Sequence, residues 1–346
     1  MLRAILFAVA VFSCDTAGEG VHGMSQPATA FGDSLTVGVG ASSSPEAWVN
    51  KFSSRYCATL SNLAVSGSQI PDQADAIYAT ASAADGRYLW LTGFNDARFF
   101  GLSGIALRVS SAQSLAAWLA IPEANKARGQ NLSRWSYGGA WSNGVAYGGN
   151  LARFSASANA TASITLNGSS IYIATTCVSG GTGVFGLTVD GISQGSFNCF
   201  GNGVAYSGRA YHPRLLRVAG LTNTAHTVVV TNTNGGNVFV DWAAASADII
   251  GDNQPVVLVG NSLRMTTGGY AAGTPFNNGS DSIVAAYNSS LSTAVSELAS
   301  DGLDVRLVNA CAAYFPENGH VSGDSIHPND AGYTAISNAF KKSMRP

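Results

Sequence analysis

Residues 29–35 read TAFGDSL, a short apolar run that ends in a Gly-Asp-Ser turn. Phe31 closes the predicted first strand, and Ser34 follows it three residues later. Ligand crevices in open parallel sheets form at the carboxyl ends of the strands, so a serine in this turn can present its hydroxyl there. Gly, Asp and Ser are also common turn residues, and an ordinary turn is the alternative interpretation. The stretch therefore raises the hypothesis that Ser34 is a nucleophile.

Residues 324–328, which read DSIHP, offer the partners that such a serine needs. A hydroxyl is a poor nucleophile until a base takes its proton, and the base needs an acceptor that orients it. Asp324 and His327, three residues apart on one predicted loop, are suited to these two roles.

Two further blocks end predicted strands with possible oxyanion donors. Residues 63–67 read LAVSG, and residues 91–96 read LTGFND. The backbone N–H of Gly67 and the side-chain amide of Asn95 are suitable donors to a tetrahedral oxyanion. A turn glycine and a helix cap are the alternative interpretations.

Together the four blocks resemble the SGNH (GDSL) hydrolase family over residues 27–128 and 250–346. The family's marker residues correspond here to Ser34, Gly67, Asn95 and His327. The resemblance implies a flavodoxin-like three-layer α/β fold and ester hydrolysis without a metal or other cofactor. It also implies an oxyanion hole made by the Ser34 N–H, the Gly67 N–H and the Asn95 amide. Phe94 stands where the family commonly has threonine, and we expect it to shape the acyl pocket.

The flanks of the chain show the alternating strand and helix pattern of a parallel sheet. The sequence predicts strands at Leu60–Val65, Tyr88–Thr92, Val256–Val259 and Val305–Val308. It predicts helices at Pro45–Tyr56, Ile70–Ala81, Ser103–Ala127, Asp281–Leu298 and Ala331–Phe340.

Residues 131–246 instead show short alternating runs separated by Gly, Asn and Ser turns, which predicts a β-sandwich. This region resembles the galactose-binding-like jelly roll of carbohydrate-binding modules. The predicted organisation is a leader (1–26), an interrupted hydrolase domain (27–130 and 247–346) and an inserted all-β domain (131–246). We expect the two hydrolase halves to form their own core, so that the insertion could be removed.

Aromatic residues of the insertion are candidates for stacking on sugars, with core packing as the alternative. The residues singled out are Trp135, Trp141 and Tyr211, within a wider set that includes Tyr137, Tyr147 and Tyr206. Cys177 and Cys199 lie in the same β-rich segment and are candidates for a disulfide.

The composition excludes several classes of protein. The formal net charge is -2 and no basic stripe occurs, which argues against nucleic-acid binding. No apolar run approaches the roughly 20 residues that span a bilayer. The five histidines are scattered, which argues against a zinc site. Arg3 followed by apolar residues 4–12 predicts an export signal, and hence a secreted, periplasmic or cell-surface protein.

The leading functional hypothesis is a secreted polysaccharide O-deacetylase acting on an acetylated polysaccharide or another small ester. A short-chain carboxylesterase or lipase is the second hypothesis. The third is a phage-tail-like or surface adhesion protein on a virion, whose esterase activity trims its receptor. The low charged fraction, 11% against about 25% in a typical domain, fits an exported protein rich in hydroxyls and amides. The oligomeric state stays open.

Overall fold

The computed structural model describes residues 27–56, 58–144, 147, 152–198, 200–201, 203–246 and 254–344. The leader predicted at residues 1–26 lies outside them, as does Cys199. The strands are β1 (Ala28–Phe31), β2 (Leu60–Asn62), β3 (Arg87–Leu91), β4 (Ala127–Arg128), β5 (Trp135–Gly138), β6 (Ser142–Gly144), β7 (Ala152–Ser155), β8 (Thr161–Asn167), β9 (Ser170–Ser179), β10 (Val184–Val189), β11 (Ile192–Asn198), β12 (Phe200–Gly201), β13 (Tyr211–Ala219), β14 (Ala225–Asn232), β15 (Val238–Val240), β16 (Trp242–Ala245), β17 (Val256–Gly260) and β18 (Val305–Val308). The helices are α1 (Ser34–Val37), α2 (Trp48–Tyr56), α3 (Ile70–Ala79), α4 (Phe94–Phe100), α5 (Ile105–Ala120), α6 (Thr267–Ala271), α7 (Asp281–Ser300), α8 (Ala310–Ala313) and α9 (Asp330–Met344).

The two flanks of the chain build one parallel sheet in the order β2-β1-β3-β17-β18. Counted within this sheet, the order is second, first, third, fourth, fifth, so the direction in which strands are added reverses between β1 and β3. Strands β3 and β17 are almost entirely buried, as their near-continuous apolar sequences require in a sheet that is covered on both faces.

Helices cover both faces of this parallel sheet. On one face α2 and α9 pack against Leu89 and its neighbours, and the Trp48 and Phe340 rings stack at 4.1 Å. On the other face α3, α5 and α7 pack against Trp90 and its neighbours. The alternation of Leu89 and Trp90 between the two cores follows from the two-residue period of a strand.

The middle of the chain forms sheets that are antiparallel except where the short strand β12 pairs with β9. One has the order β11-β10-β14-β8-β5, and the other has the order β12-β9-β16-β4, with β13 also paired to β9. The short strands β15, β7 and β6 form a third group. The two larger sheets enclose a core that includes Ile164, Ile173 and Val230. The fold is therefore mixed α/β, with a parallel sheet joined to antiparallel sheets.

The sandwich is not packed on itself alone. Strand β9 is buried on both faces: Ile171 and Ile173 face the sandwich core, whereas Tyr172 and Ala174 belong to the core that contains α5. We expected the hydrolase halves to hold a core of their own, but one buried cluster runs across both regions. The sandwich sheet with β9 therefore acts as a further layer on α5.

Several predicted elements are shorter in the structure, α5 and β2 among them. Helix α5 ends at Ala120, seven residues before the predicted end, because Pro122 follows and residues 127–128 pair with β16 instead. Strand β2 ends at Asn62, and Leu63 and Val65 are exposed. Within the described residues, none of the helices is long and apolar enough to cross a membrane.

Candidate active site

Ser34 lies where strand β1 passes into helix α1. Asp33 caps this helix, and its carboxylate accepts a hydrogen bond from the Leu35 N–H at 2.9 Å. Ser34 is the first residue of the helix and is 7% exposed. The cap thus fixes the backbone of the turn, and the serine hydroxyl lies at the carboxyl end of the sheet.

Asp324 and His327 are brought together by a tight loop. The Ser322 N–H donates to the His327 carbonyl at 2.7 Å, and Ser325 takes a left-handed backbone conformation with φ of 62°. The loop reverses direction between these residues, so that the carboxylate and the imidazole three positions apart lie side by side.

A chain of hydrogen bonds joins the turn after β1 to the loop that precedes α9. His327 Nε2 lies 2.9 Å from Ser34 Oγ, and His327 Nδ1 lies 2.5 Å from Asp324 Oδ2. This arrangement places a base beside a hydroxyl and an acceptor behind the base. In chemical terms, the imidazole can take the proton of Ser34 and the carboxylate can stabilise the resulting positive charge.

The Asp324 carboxylate is held ionised by its neighbours. Partial burial raises the pKa of Asp324, but hydrogen bonds from the His327 ring, the Ser322 hydroxyl and two backbone N–H groups outweigh burial. The net pKa lies well below the ordinary value. Asp324 therefore orients His327 as an anion.

Two backbone N–H groups of the predicted oxyanion hole are unpaired in the part of the chain that the structure describes. Among the described residues, neither the Ser34 N–H nor the Gly67 N–H has a hydrogen-bond acceptor. Gly67 is exposed and has φ of 78°, a conformation that favours glycine. Both donors are thus available to a ligand.

Asn95, in the first turn of α4, is already engaged. Its amide nitrogen donates to the Ser68 carbonyl at 3.0 Å and approaches the Asp33 carboxylate at 3.4 Å. The contact to Asp33 is at the long limit of a hydrogen bond, so this N–H is the one that an oxyanion can recruit.

These groups converge where the strand order reverses. Ser34 follows β1 and Asn95 follows β3, and these adjacent strands flank the switch point at which open α/β sheets bind ligands. The structure thus brings together Ser34, Asp324 and His327, and the Asn95 amide contacts Asp33, the residue before Ser34.

The structure adds buried charges that the sequence interpretation did not single out. Complete burial raises the pKa of Asp33 to about 7, and burial does the same to Asp96, with Arg108 opposing it. Arg98 donates to the side-chain amide oxygen of Asn95, Oδ1, at 3.4 Å. In a chain with 11% charged residues, the two arginines in the thirteen residues that follow Asn95, Arg98 and Arg108, were a usable signal.

The aromatic residues predicted to bind substrate take other positions. Trp135 and Trp141 are only 3% and 9% exposed, and both pack in the sandwich core. The prediction that they stack on sugars is corrected, because their rings are withdrawn from the surface. Phe94 is buried in the core on the sheet face that α2 and α9 cover, and it does not line an open acyl pocket. Tyr211 is 37% exposed and lies beside Phe239 in the sandwich.

Within the described part of the chain, no group of three or more His, Cys, Asp or Glu residues could hold a metal ion. Cys177 is buried in β9, and its predicted partner Cys199 lies outside the described residues, so the disulfide stays a prediction.

Comparison with known proteins gives distant likenesses. No protein-family profile matches the sequence, and no curated protein matches it. A two-domain esterase active on acetylated mannans aligns at 10% identity over 63% of this chain and 90% of that one, with a TM-score of 0.37. A CBM36 domain of a multidomain xylanase from the hindgut metagenome of Trinervitermes trinervoides aligns at 17% identity over 34% of this chain and 94% of that one, with a TM-score of 0.26. A CBM36 module in complex with calcium and xylotriose aligns at 16% identity over 34% and 96%, with a TM-score of 0.24. Scores this low leave the function to be argued from the site.

Proposed function

We propose that the chain is a serine esterase of the SGNH type that removes O-acetyl groups from a polysaccharide through an acyl-enzyme on Ser34. One observation carries the proposal: the Ser34 hydroxyl, the His327 imidazole and the Asp324 carboxylate form a continuous hydrogen-bonded chain at the switch point of the parallel sheet. The flavodoxin-like strand order and the helices on both sheet faces support the SGNH assignment.

Acylation begins at Ser34. Its Oγ bonds to the ester carbonyl carbon while its proton passes to His327 Nε2, and the carbonyl oxygen becomes an oxyanion. The Ser34 and Gly67 N–H groups and the Asn95 amide stabilise that charge. His327 then gives its proton to the departing sugar oxygen, the ester bond breaks, and an acetyl-serine remains.

Deacylation repeats these steps with water. Neutral His327 takes a proton from water, the hydroxide oxygen bonds to the acetyl carbon, and acetate leaves as the proton returns to Ser34. Asp324 stays ionised throughout because its hydrogen bonds hold its pKa low, and it stabilises the transient imidazolium. The cycle needs no cofactor.

A polymer-borne acetyl group fits the openness of the site. Apart from its own chain neighbours, no heavy atom of the described residues lies within 4 Å of a Cβ built on Gly67, so this side of the site is open. An acetyl group needs only a small acyl pocket, and the rest of a polysaccharide can lie across the surface. The export signal predicted at residues 1–26 fits an enzyme that acts on polymers outside the cytoplasm.

Replacing the nucleophile tests the proposal. Ser34→Ala should lower kcat on 4-nitrophenyl acetate by about 10⁶-fold, the loss seen when a triad serine is removed. A fluorophosphonate probe should label the wild-type chain on the peptide that contains Ser34 and should leave the variant unlabelled. Unchanged activity in folded Ser34→Ala protein would refute the assignment.

The two C-terminal histidines provide a matched control. His327→Ala should abolish hydrolysis, because its ring alone contacts Ser34 Oγ among the described histidines. His320→Ala should retain hydrolysis, since the His320 ring only accepts a bond from the Phe315 N–H at 3.0 Å. The reverse pattern would mean that the base has been misassigned.

A further inference from the structure

Three aromatic rings from separate segments meet beside the candidate active site. Phe99 comes from α4, Tyr206 from the sandwich loop 203–210, and Phe276 from the loop that follows α6. Their ring centroids are 5.0 Å (Tyr206 to Phe276), 5.5 Å (Phe99 to Phe276) and 6.1 Å (Phe99 to Tyr206) apart. Tyr206 is 59% exposed, and the other two are partly exposed. The cluster thus presents aromatic surface to solvent.

Helix α4 sets the distance between this cluster and the oxyanion donors. Phe99 follows Asn95 by four residues, so the two lie on one helix face, roughly 6 Å apart along the axis. Arg98 links them further: it donates to Asn95 Oδ1, and its guanidinium lies 5.5 Å from the Phe276 ring centroid. The cluster therefore adjoins the oxyanion side of the site.

The segment that precedes Phe276 contacts the loop that carries His327. The Ala272 carbonyl accepts a bond from Arg98 at 3.4 Å. A Cβ built on Gly273 would lie 3.8 Å from the Ile326 side chain. The segment that leads to Phe276 is thus packed between α4 and the residue that precedes His327.

The sandwich loop that bears Tyr206 is anchored at the other edge. The Tyr206 N–H donates to Gln69 Oε1 at 2.7 Å, two residues after Gly67. The Ser207 hydroxyl bonds Asp72, and the Arg209 guanidinium pairs with Asp75. These contacts tie the loop to the start of α3, so the Tyr206 ring is held in place before any ligand binds.

The base of the same loop is fixed by buried polar groups. Burial lowers the pKa of His212 to about 3, so its ring is neutral. His212 Nδ1 lies 2.6 Å from an Arg108 nitrogen and accepts its bond, which leaves Nε2–H to donate to the Gly203 carbonyl at 3.0 Å. Arg108 in turn lies 3.7 Å from Asp96, the neighbour of Asn95.

We propose that Phe99, Tyr206 and Phe276 form an aromatic platform on which a sugar ring of the polymer stacks while its acetyl group enters the site. This inference rests on the proposed esterase function and names the part of the sandwich that helps select the polymer. The C–H groups on the face of a pyranose suit the negative face of an aromatic ring, and fixed rings lose little conformational freedom on binding. Binding energy gained there contributes to transition-state stabilisation at Ser34.

The test compares a polymer with a small ester. Wild-type protein is first assayed for acetate release from acetylated xylan, glucomannan and pectin, and the best polymer is kept. Tyr206→Ala and Phe276→Ala should each lower the ratio of kcat/KM on that polymer to kcat/KM on 4-nitrophenyl acetate by about tenfold, mainly through KM, the scale expected for loss of one aromatic contact. Tyr206→Phe should keep the ratio within about twofold, because it keeps the ring.

Val204→Ala is the matched control, since Val204 is an exposed aliphatic residue of the same loop; its ratio should equal that of the wild type. Ratios unchanged in both alanine variants would overturn the platform. The variants are also assayed on the long-chain ester 4-nitrophenyl octanoate. If the alanine variants lost activity on that ester alone, the rings would bind an acyl chain and the platform would be overturned. Wild-type activity on 4-nitrophenyl acetate without acetate release from any polymer would overturn the platform and leave the esterase proposal standing. Absence of both activities would overturn the esterase proposal itself.

Discussion

Trp118 of helix α5 and Trp242 of strand β16 pack edge to face, with ring centroids 5.7 Å apart, and both are fully buried. Tyr78 of helix α3 packs edge-on against Trp118 at 5.0 Å. This contact joins the layer of helices on the parallel sheet to the sandwich, so the two regions share hydrophobic core.

Trp242→Ala should therefore destabilise the whole protein, by about 3–5 kcal/mol, the usual cost of truncating a buried tryptophan. Two transitions should be measured against denaturant concentration: unfolding by circular dichroism and loss of esterase activity. Both midpoints should move to the same lower denaturant concentration. Ile192→Ala, at an exposed sandwich position, should change the free energy of unfolding by less than about 0.5 kcal/mol.

Removal of residues 131–246 extends the same argument. The deletion would expose Trp118, Tyr78 and Val109, which the sandwich sheet now covers. We therefore expect the shortened chain to be insoluble or loosely packed. A soluble, cooperative and active deletion variant would show instead that the hydrolase halves are self-sufficient.

Asn95→Ala should lower kcat by about 10²–10³-fold with little change in KM, the usual effect of losing one oxyanion donor. Steady-state kinetics on 4-nitrophenyl acetate would measure this. Asn62→Ala is the comparison, because the Asn62 amide donates to the Thr36 carbonyl at 3.0 Å and has no place in the proposed oxyanion hole. A change in KM alone would assign Asn95 to substrate binding.

The parts of the site that the sequence could predict are local. A serine after a strand, and a carboxylate three residues from a histidine, depend on one turn each, and the structure brings Ser34, Asp324 and His327 into contact. Contacts between distant segments were not predicted, because nothing in residues 203–210 shows that Tyr206 docks beside Gln69.

The shared core did leave a signal in the sequence. Residues 170–179 read SIYIATTCVS, and the first eight are buried without alternation. A strand that faces solvent on one side alternates, whereas a continuous apolar or small-residue run indicates burial on both faces. Because the whole of residues 131–246 was interpreted as alternating strands, the continuous burial of β9 was not recognised. Its packing on α5 was therefore not predicted.

Asp33 predicts a pH dependence of stability. Its pKa is raised from 3.8 to about 7 by burial, so between these values the folded chain keeps a proton that the unfolded chain releases. The free energy of unfolding should therefore fall as pH rises through this window. Asp33→Asn should reduce that fall, measured by urea unfolding at pH 5 and pH 7.

Asp330→Asn is the control of opposite sign. Hydrogen bonds from the Ser42 hydroxyl and N–H hold the pKa of Asp330 below its ordinary value. Its contribution is therefore lost only at more acidic pH, and the variant should leave the change between pH 5 and pH 7 as in the wild type. An Asp33→Asn chain with the wild-type dependence would mean that Asp33 ionises normally in the fold.

The close packing around Gly40 predicts that the position of the His327 loop is important for catalysis. A Cβ built on Gly40 would lie 2.6 Å from the Pro328 carbonyl oxygen and 3.0 Å from His327 Cβ, and φ at Gly40 is 95°. Gly40→Ala should push His327 away from Ser34, and a misplacement of about 1 Å can cost 10²-fold in rate.

Gly302 also has φ of 95°, but nothing lies within 4 Å of its Cβ position. Gly302→Ala therefore carries the same backbone strain without touching the site, and it should lower stability while kcat stays as in the wild type. Equal kcat in the two folded variants would show that the loop tolerates displacement and that the 2.9 Å contact between His327 and Ser34 does not depend on Gly40.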